Sequence, residues 1–224
     1  MGDWEDRAGR AAERYEDGLE RLPEEPDERQ RQLTRTGNAA WAAGLSLLML
    51  GREGEAAVWL GRAAERYRES WRDAPPDSWG RPIGAMKACV IADDLEAARA
   101  DAEWALDAGA AASESPIGRY AAALAHLVRR EDAEAGKLAA TLQSREDFPP
   151  AIADALAALA ANDGDAYEHA VRSVLADFES RDAFLEDVPV ADTVLAFQVL
   201  AELRGFAPEL VSPLVAPSWT GREL

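Results

Sequence analysis

The sequence predicts an all-α protein: antiparallel helical hairpins stacked as a short right-handed α-solenoid, closed by an apolar C-terminal helix and an extended proline-rich tail. Three observations carry this expectation. "PIGAMKA", "PIGRYAA" and "PAIADALAAL" begin at Pro82, Pro116 and Pro150, spaced 34 residues apart, and paired helices at such a period mark a solenoid. Proline is favoured at the first position of a helix, where its missing N–H costs nothing. Runs such as "RYAAALA" and "ALAALAA" favour helix because alanine loses least on entering one.

Taken in order, the first helix is expected from Trp4 to about Leu22, broken by Pro23 and Pro26, with acid and base one turn apart at Asp6/Arg10 and Asp17/Arg21. A second follows Asp27 and becomes strongly apolar through Leu50, with Gly51 as its stop. "EGEAAVWLGRAAERYRESW" is a third, placing Ala56, Trp59, Leu60, Ala63 and Tyr67 on one face. "DAPPDS" is a loop. Three hairpins then start at Pro82, at Pro116 behind a Ser115 cap, and at Pro149 or Pro150. Their second helices are "LEAARADAEWALDAG", "DAEAGKLAATLQS" and "GDAYEHAVRSVLADFES", entered through the turns "ADD", "RRED" and "NDGD". The helix of "VPVADTVLAFQVLAELRG", expected over 189–204, is apolar nearly all round and so should be deeply buried. "FAPELVSPLVAPSW" holds three prolines and cannot continue as helix. The whole reads as one domain, 1–224: an N-terminal helix over 1–22, hairpin repeats over 27–180, and a capping helix with its tail over 187–224.

Within this pattern, roughly residues 38–180 resemble the tetratricopeptide family, which places small residues at set intervals across each helix pair. Gly44, Ala56 and Ala63 satisfy all three positions. Met86, Ala98 and Ala105 satisfy two, as do Ala123, Ala135 and Leu142, whereas Asp154, Ala166 and Ser173 fail at the first. Near the C-terminus "LAELRG" and "SPLVAP", within 187–217, look like the carboxyl end of the immunity-49 family. That family is found beside bacterial polymorphic toxins. The resemblance implies an all-helical protein that binds and neutralises a toxin.

The formal charge of −18, from 42 acidic and 24 basic residues, repels phosphate backbones and anionic lipid surfaces alike, so neither nucleic acid nor membrane is an expected partner. Only Lys87 and Lys137 are lysines, and such acidity suits a salt-rich, halophilic cytosol in which self-repulsion is screened. Cys89 is the single cysteine, which excludes an intramolecular disulfide. No basic stretch followed by an apolar one opens the chain, and "AAWAAGLSLLMLG" is too short to span a bilayer. A cytoplasmic location is expected.

Chemistry is sparse. His126 and His169 stand outside any HExxH or ExxH motif and read as structural, Cys89 as a small buried residue, and no phosphate-binding glycine loop occurs. No catalytic residue, cofactor or metal is therefore expected. Arg29, Arg31 and Arg35 are interleaved with Asp27 and Glu28 and read as surface ion pairs. Trp41, Trp59 and Trp104 fall at core spacing. Trp71 and Trp79 flank the "RDAPPDS" loop with Arg81 behind it, and Arg119 and Tyr120 follow one repeat later. Because aromatic residues beside arginine make binding hot spots, Trp79, Arg81, Arg119 and Tyr120 are the expected partner-binding residues, set along a common edge. The function expected is that of a non-enzymatic helical-repeat protein taking a protein or peptide partner on its concave face. Two alternatives stand beside it: a small-ligand-binding or enzymatic bundle with a site assembled from distant residues, and a homo-oligomeric structural protein.

Overall fold

The structure is a computed structural model that describes residues 2–217; the last part of the expected tail, including Trp219, lies outside the described residues. Ten α-helices and no strand occur among these residues. They are α1 (Gly2–Glu20), α2 (Pro26–Met49), α3 (Glu53–Trp71), α4 (Gly80–Ile91), α5 (Leu95–Asp107), α6 (Pro116–Val128), α7 (Asp132–Gln143), α8 (Pro150–Ala161), α9 (Gly164–Glu179) and α10 (Asp192–Glu202). Each of the first nine packs against its successor in the chain. None is long and apolar enough to cross a membrane.

Local chemistry sets the helix starts. Ser115 Oγ accepts the Ile117 N–H at 3.2 Å ahead of Pro116, and Asp94 and Asp163 each accept an N–H three residues on at 3.0 Å. Pro150 takes the first helical position. Pro26, expected only to break α1, also begins α2, where the Glu25 carboxylate receives the N–H groups of Asp27 and Glu28. Pro82 stands third in α4, behind Gly80 and Arg81, so that repeat opens two residues before its proline.

The turns inside the hairpins reveal a repeat more regular than the prolines. Gly51, Asp93, Arg130 and Asn162 all have φ between 54° and 72°, the left-handed region. In each case the following N–H reaches back to a carbonyl five residues earlier: Arg52 to Leu47 (3.0 Å), Asp94 to Cys89 (2.9 Å), Glu131 to His126 (2.8 Å) and Asp163 to Ala158 (3.0 Å). This Schellman geometry pairs the orphan carbonyls of the first helix, and the next helix begins one residue beyond the donor. Counted from that left-handed residue, the same three positions are buried in all four hairpins: Gly44, Ala56 and Ala63; Met86, Ala98 and Ala105; Ala123, Ala135 and Leu142; Ala155, Tyr167 and Val174. The fourth set therefore sits one residue beyond Asp154, Ala166 and Ser173, which are exposed, exposed and half-buried. Backbone approach is closest at Gly44, whose missing Cβ would stand 2.8 Å from Leu60 Cγ and 3.3 Å from the Ala56 carbonyl oxygen.

The first members of successive hairpins, α4, α6 and α8, touch one another, and α10 lies across α4, α8 and α9. Its residues Thr193–Ala201 are all buried. The helix begins at Asp192, later than the expected 189, because the Val190 and Asp192 N–H groups bond two residues back, to the Val188 and Val190 carbonyls, and the Ala191 N–H donates to the Leu214 carbonyl at 2.8 Å. Residues 206–216 of the tail form no helix, as expected, and insert Leu210, Val215 and Ala216 into the core.

Candidate functional site

A cavity of about 420 Å³ opens where α2, α3 and α4 meet the start of α10. Thr34, Asn38 and Trp41 form one stripe of α2; Arg81, Ile83 and Lys87 come from α4, Tyr67 from α3, Leu185 from the 3₁₀ turn Leu185–Asp187, and Asp192 from α10. Tyr67 is the hinge of the arrangement. Cβ atoms added at Gly37 on α2 and Gly84 on α4 would stand 2.9 and 2.8 Å from its ring carbons, so two glycines clasp the ring and bring three helices together. The Tyr67 hydroxyl donates to Asn38 Oδ1 at 2.9 Å, which leaves the Asn38 amide N–H groups available at the cavity wall. Burial, then the nearby Asp192 and Glu186 charges, drive the Tyr67 pKa far up, so it stays a donor.

Two cations are buried here. Lys87 is 7% exposed and donates to Asp192 Oδ2 at 2.7 Å and to Thr193 Oγ1 at 2.9 Å, with Nζ 5.6 Å from the centre of the Trp41 ring. Arg81 is 9% exposed. Its Nε donates to Thr34 Oγ1 at 3.2 Å and its Nη2 to Gln30 Oε1, both neutral, while the buried Nη1 has no acceptor. No carboxylate of the described residues pairs with it; Asp27 stands behind Gln30 and is itself paired with Arg31. Desolvation lowers the Arg81 pKa with no acidic neighbour opposing it.

The four residues expected along one edge separate. Trp79 is 5% exposed, its indole N–H bonded to Asp77 Oδ1 at 2.9 Å and its ring tilted against Trp71, whose ring meets Trp104 edge-on. It does meet the Arg119 region: Ser113 Oγ reaches Asp77 at 3.5 Å while the Ser113 carbonyl accepts Arg119 Nε at 3.1 Å. Arg81 turns away from both, toward α2 and the cavity. Tyr120 is buried against Phe148. Gln30, Thr34, Asn38, Lys87 and Asp192 were not singled out as site residues, since nothing local distinguishes them. The only linear hints were glycines inside helices at 37 and 84.

His126 Nδ1 lies 2.7 Å from Glu131 Oε2, across the turn it helps to close. His169 borders a second groove of about 380 Å³ between α8 and α9, with Asp154 and Asp163 on its walls. Asp154 accepts from Gln143 at 2.8 Å and Asp163 caps α9, so both carboxylates already hold structural bonds. No cluster of three His, Cys, Asp or Glu suited to a metal occurs among the described residues. Cys89 is buried and more than an apolar filler: it lies 3.4 Å from both Asp101 Oδ2 and Arg68 Nη2, and burial with the Asp101 charge pushes its thiol up to about 12. Compared with protein families, curated proteins and solved structures, the chain matches none.

Proposed function

We propose that the protein is a non-enzymatic binding protein, a short right-handed solenoid of tetratricopeptide-like hairpins that receives a small ligand in the cavity between α2, α4 and α10. The recurring left-handed turn with its three buried positions supports the repeat architecture. The packing of α10 over α4, α8 and α9 supports a compact ligand over a long peptide, because the chain's own helix covers the face along which a peptide would lie. The single observation carrying the reading is the convergence of fixed polar groups on one cavity: Asn38 held by Tyr67, Lys87 by Asp192, Arg81 by Thr34. For a protein partner, including the toxin-neutralising role implied by the C-terminal resemblance, the support is the sequence pattern alone.

A fragment screen by two-dimensional NMR tests the reading. Hits should shift the indole N–H of Trp41, which lines the cavity, and spare that of Trp59, which packs on Tyr15 of α1 outside it. Hits that spare Trp41, or their complete absence, would withdraw it.

A further inference from the structure

We infer that the cavity takes a small amphipathic oxyanion, its carboxylate or phosphate group beside Arg81 and its apolar body against Trp41, Ile83 and Leu185. The inference rests on the reading of this cavity as the recognition site and names the chemistry of its ligand.

The argument begins from charge. Acidic residues outnumber basic ones by 42 to 24, and two other enclosed arginines each meet a carboxylate, Arg66 with Glu65 and Arg204 with Asp132. Of the two cations beside the cavity, Lys87 has Asp192 and Arg81 has no carboxylate among the described residues. A guanidinium removed from water without a counter-ion pays a desolvation penalty, even with neutral acceptors on two of its nitrogens. An anion placed in the adjoining cavity removes that cost, so the free protein's strain becomes the ligand's affinity.

The balance of donors and acceptors points the same way. Arg81 Nη1 and the Asn38 amide N–H groups have no acceptor among the described residues. The one carboxylate on the wall, Asp192, is already engaged: Oδ2 by Lys87 at 2.7 Å and Oδ1 by the Thr193 N–H at 2.7 Å. A cationic ligand would find Asp192 occupied and Arg81 repulsive. A neutral one would leave Arg81 as uncompensated as before. The apolar walls exclude a bare ion as the best fit, since Trp41, Ile83 and Leu185 gain only from a ligand with carbon to bury.

Four matched probes test this on the full chain: phenylacetate, phenyl phosphate, the neutral phenylacetamide and the cationic phenethylamine. Calorimetric titration and the melting temperature should respond to one or both anions, with a rise of about 5–10 °C at a hundredfold excess over Kd. Which anion binds more tightly assigns the head group. Phenylacetamide binding as well as phenylacetate, or phenethylamine binding best, would overturn the anion assignment while leaving the cavity as the recognition site. If none of the four shifts the Trp41 indole N–H, both readings fail. Arg81→Gln should weaken anion binding about 30-fold or more, and Arg81→Lys should restore part of it as a point charge. Undiminished binding by folded Arg81→Gln would also overturn the assignment, and the probe comparison on the unaltered chain decides the matter if that variant does not fold.

Discussion

Between α3 and α5, Arg68 grips the 2%-exposed Asp101 with two hydrogen bonds, at 2.5 and 2.7 Å, and the pair encloses the Cys89 thiol. Between α2 and α4, Arg81 is buried against Gln30 and Thr34, with no acid and a cavity alongside. At the α6–α7 turn, Arg204, two residues past the end of α10, repeats the first arrangement, its fully buried side chain bonded to Asp132 and to the Leu127 carbonyl. At both of these joints the chain supplies an acid from another helix. Where no acid is supplied, there is room for one to arrive from outside. On the proposed reading, stability and recognition use the same residue type under opposite electrostatic conditions.

That contrast can be broken most forcefully at Asp132. Replacing it by Ala leaves the buried Arg204 guanidinium uncompensated and should cost about 3 kcal/mol, lowering the melting temperature by roughly 6–12 °C. A calorimetric change under about 1 kcal/mol would show that the joint does not depend on the charge pair. Arg81→Gln offers the sharper test. It forfeits bonds to Gln30 and Thr34 but also an uncompensated charge, so the ligand-free protein should melt within about 4 °C of the parent. A collapse as large as that of Asp132→Ala would make Arg81 a structural strut like the others.

The smallest effect concerns Cys89. With its pKa raised to about 12, by burial first and the Asp101 charge second, the folded-state thiol stays neutral at pH 8, and iodoacetamide should label it only after unfolding. The sign follows from a folded pKa above the ordinary value of 9.0: the stability gained by keeping the thiol neutral is complete below about pH 9 and falls as pH rises toward 12. Rapid labelling of the native chain would mean that the Arg68–Asp101 joint opens readily.

Much of the fold was legible because its determinants are local. The third helix runs over the very residues assigned to it, and the second helices of the later hairpins begin at the expected residues, two of them behind the local caps Asp94 and Asp163. Gly51 and Asn162 announce left-handed turns by residue type; Asp93 and Arg130 adopt the same geometry without announcing it. The site was less legible. Arg81 was singled out, but for the company of Trp79 and Tyr120, which the structure buries elsewhere.

Alone, the sequence determined ten helical segments, where most begin, and which faces are apolar, since each rests on bonds and contacts within a turn or two of the chain. The tertiary structure decided which cations meet acids. Lys87 finds Asp192 across 105 residues, and Arg81 is bonded to Gln30 across 51. Coulomb energy and desolvation depend on distance and burial in space, and neither can be read from separation along the chain.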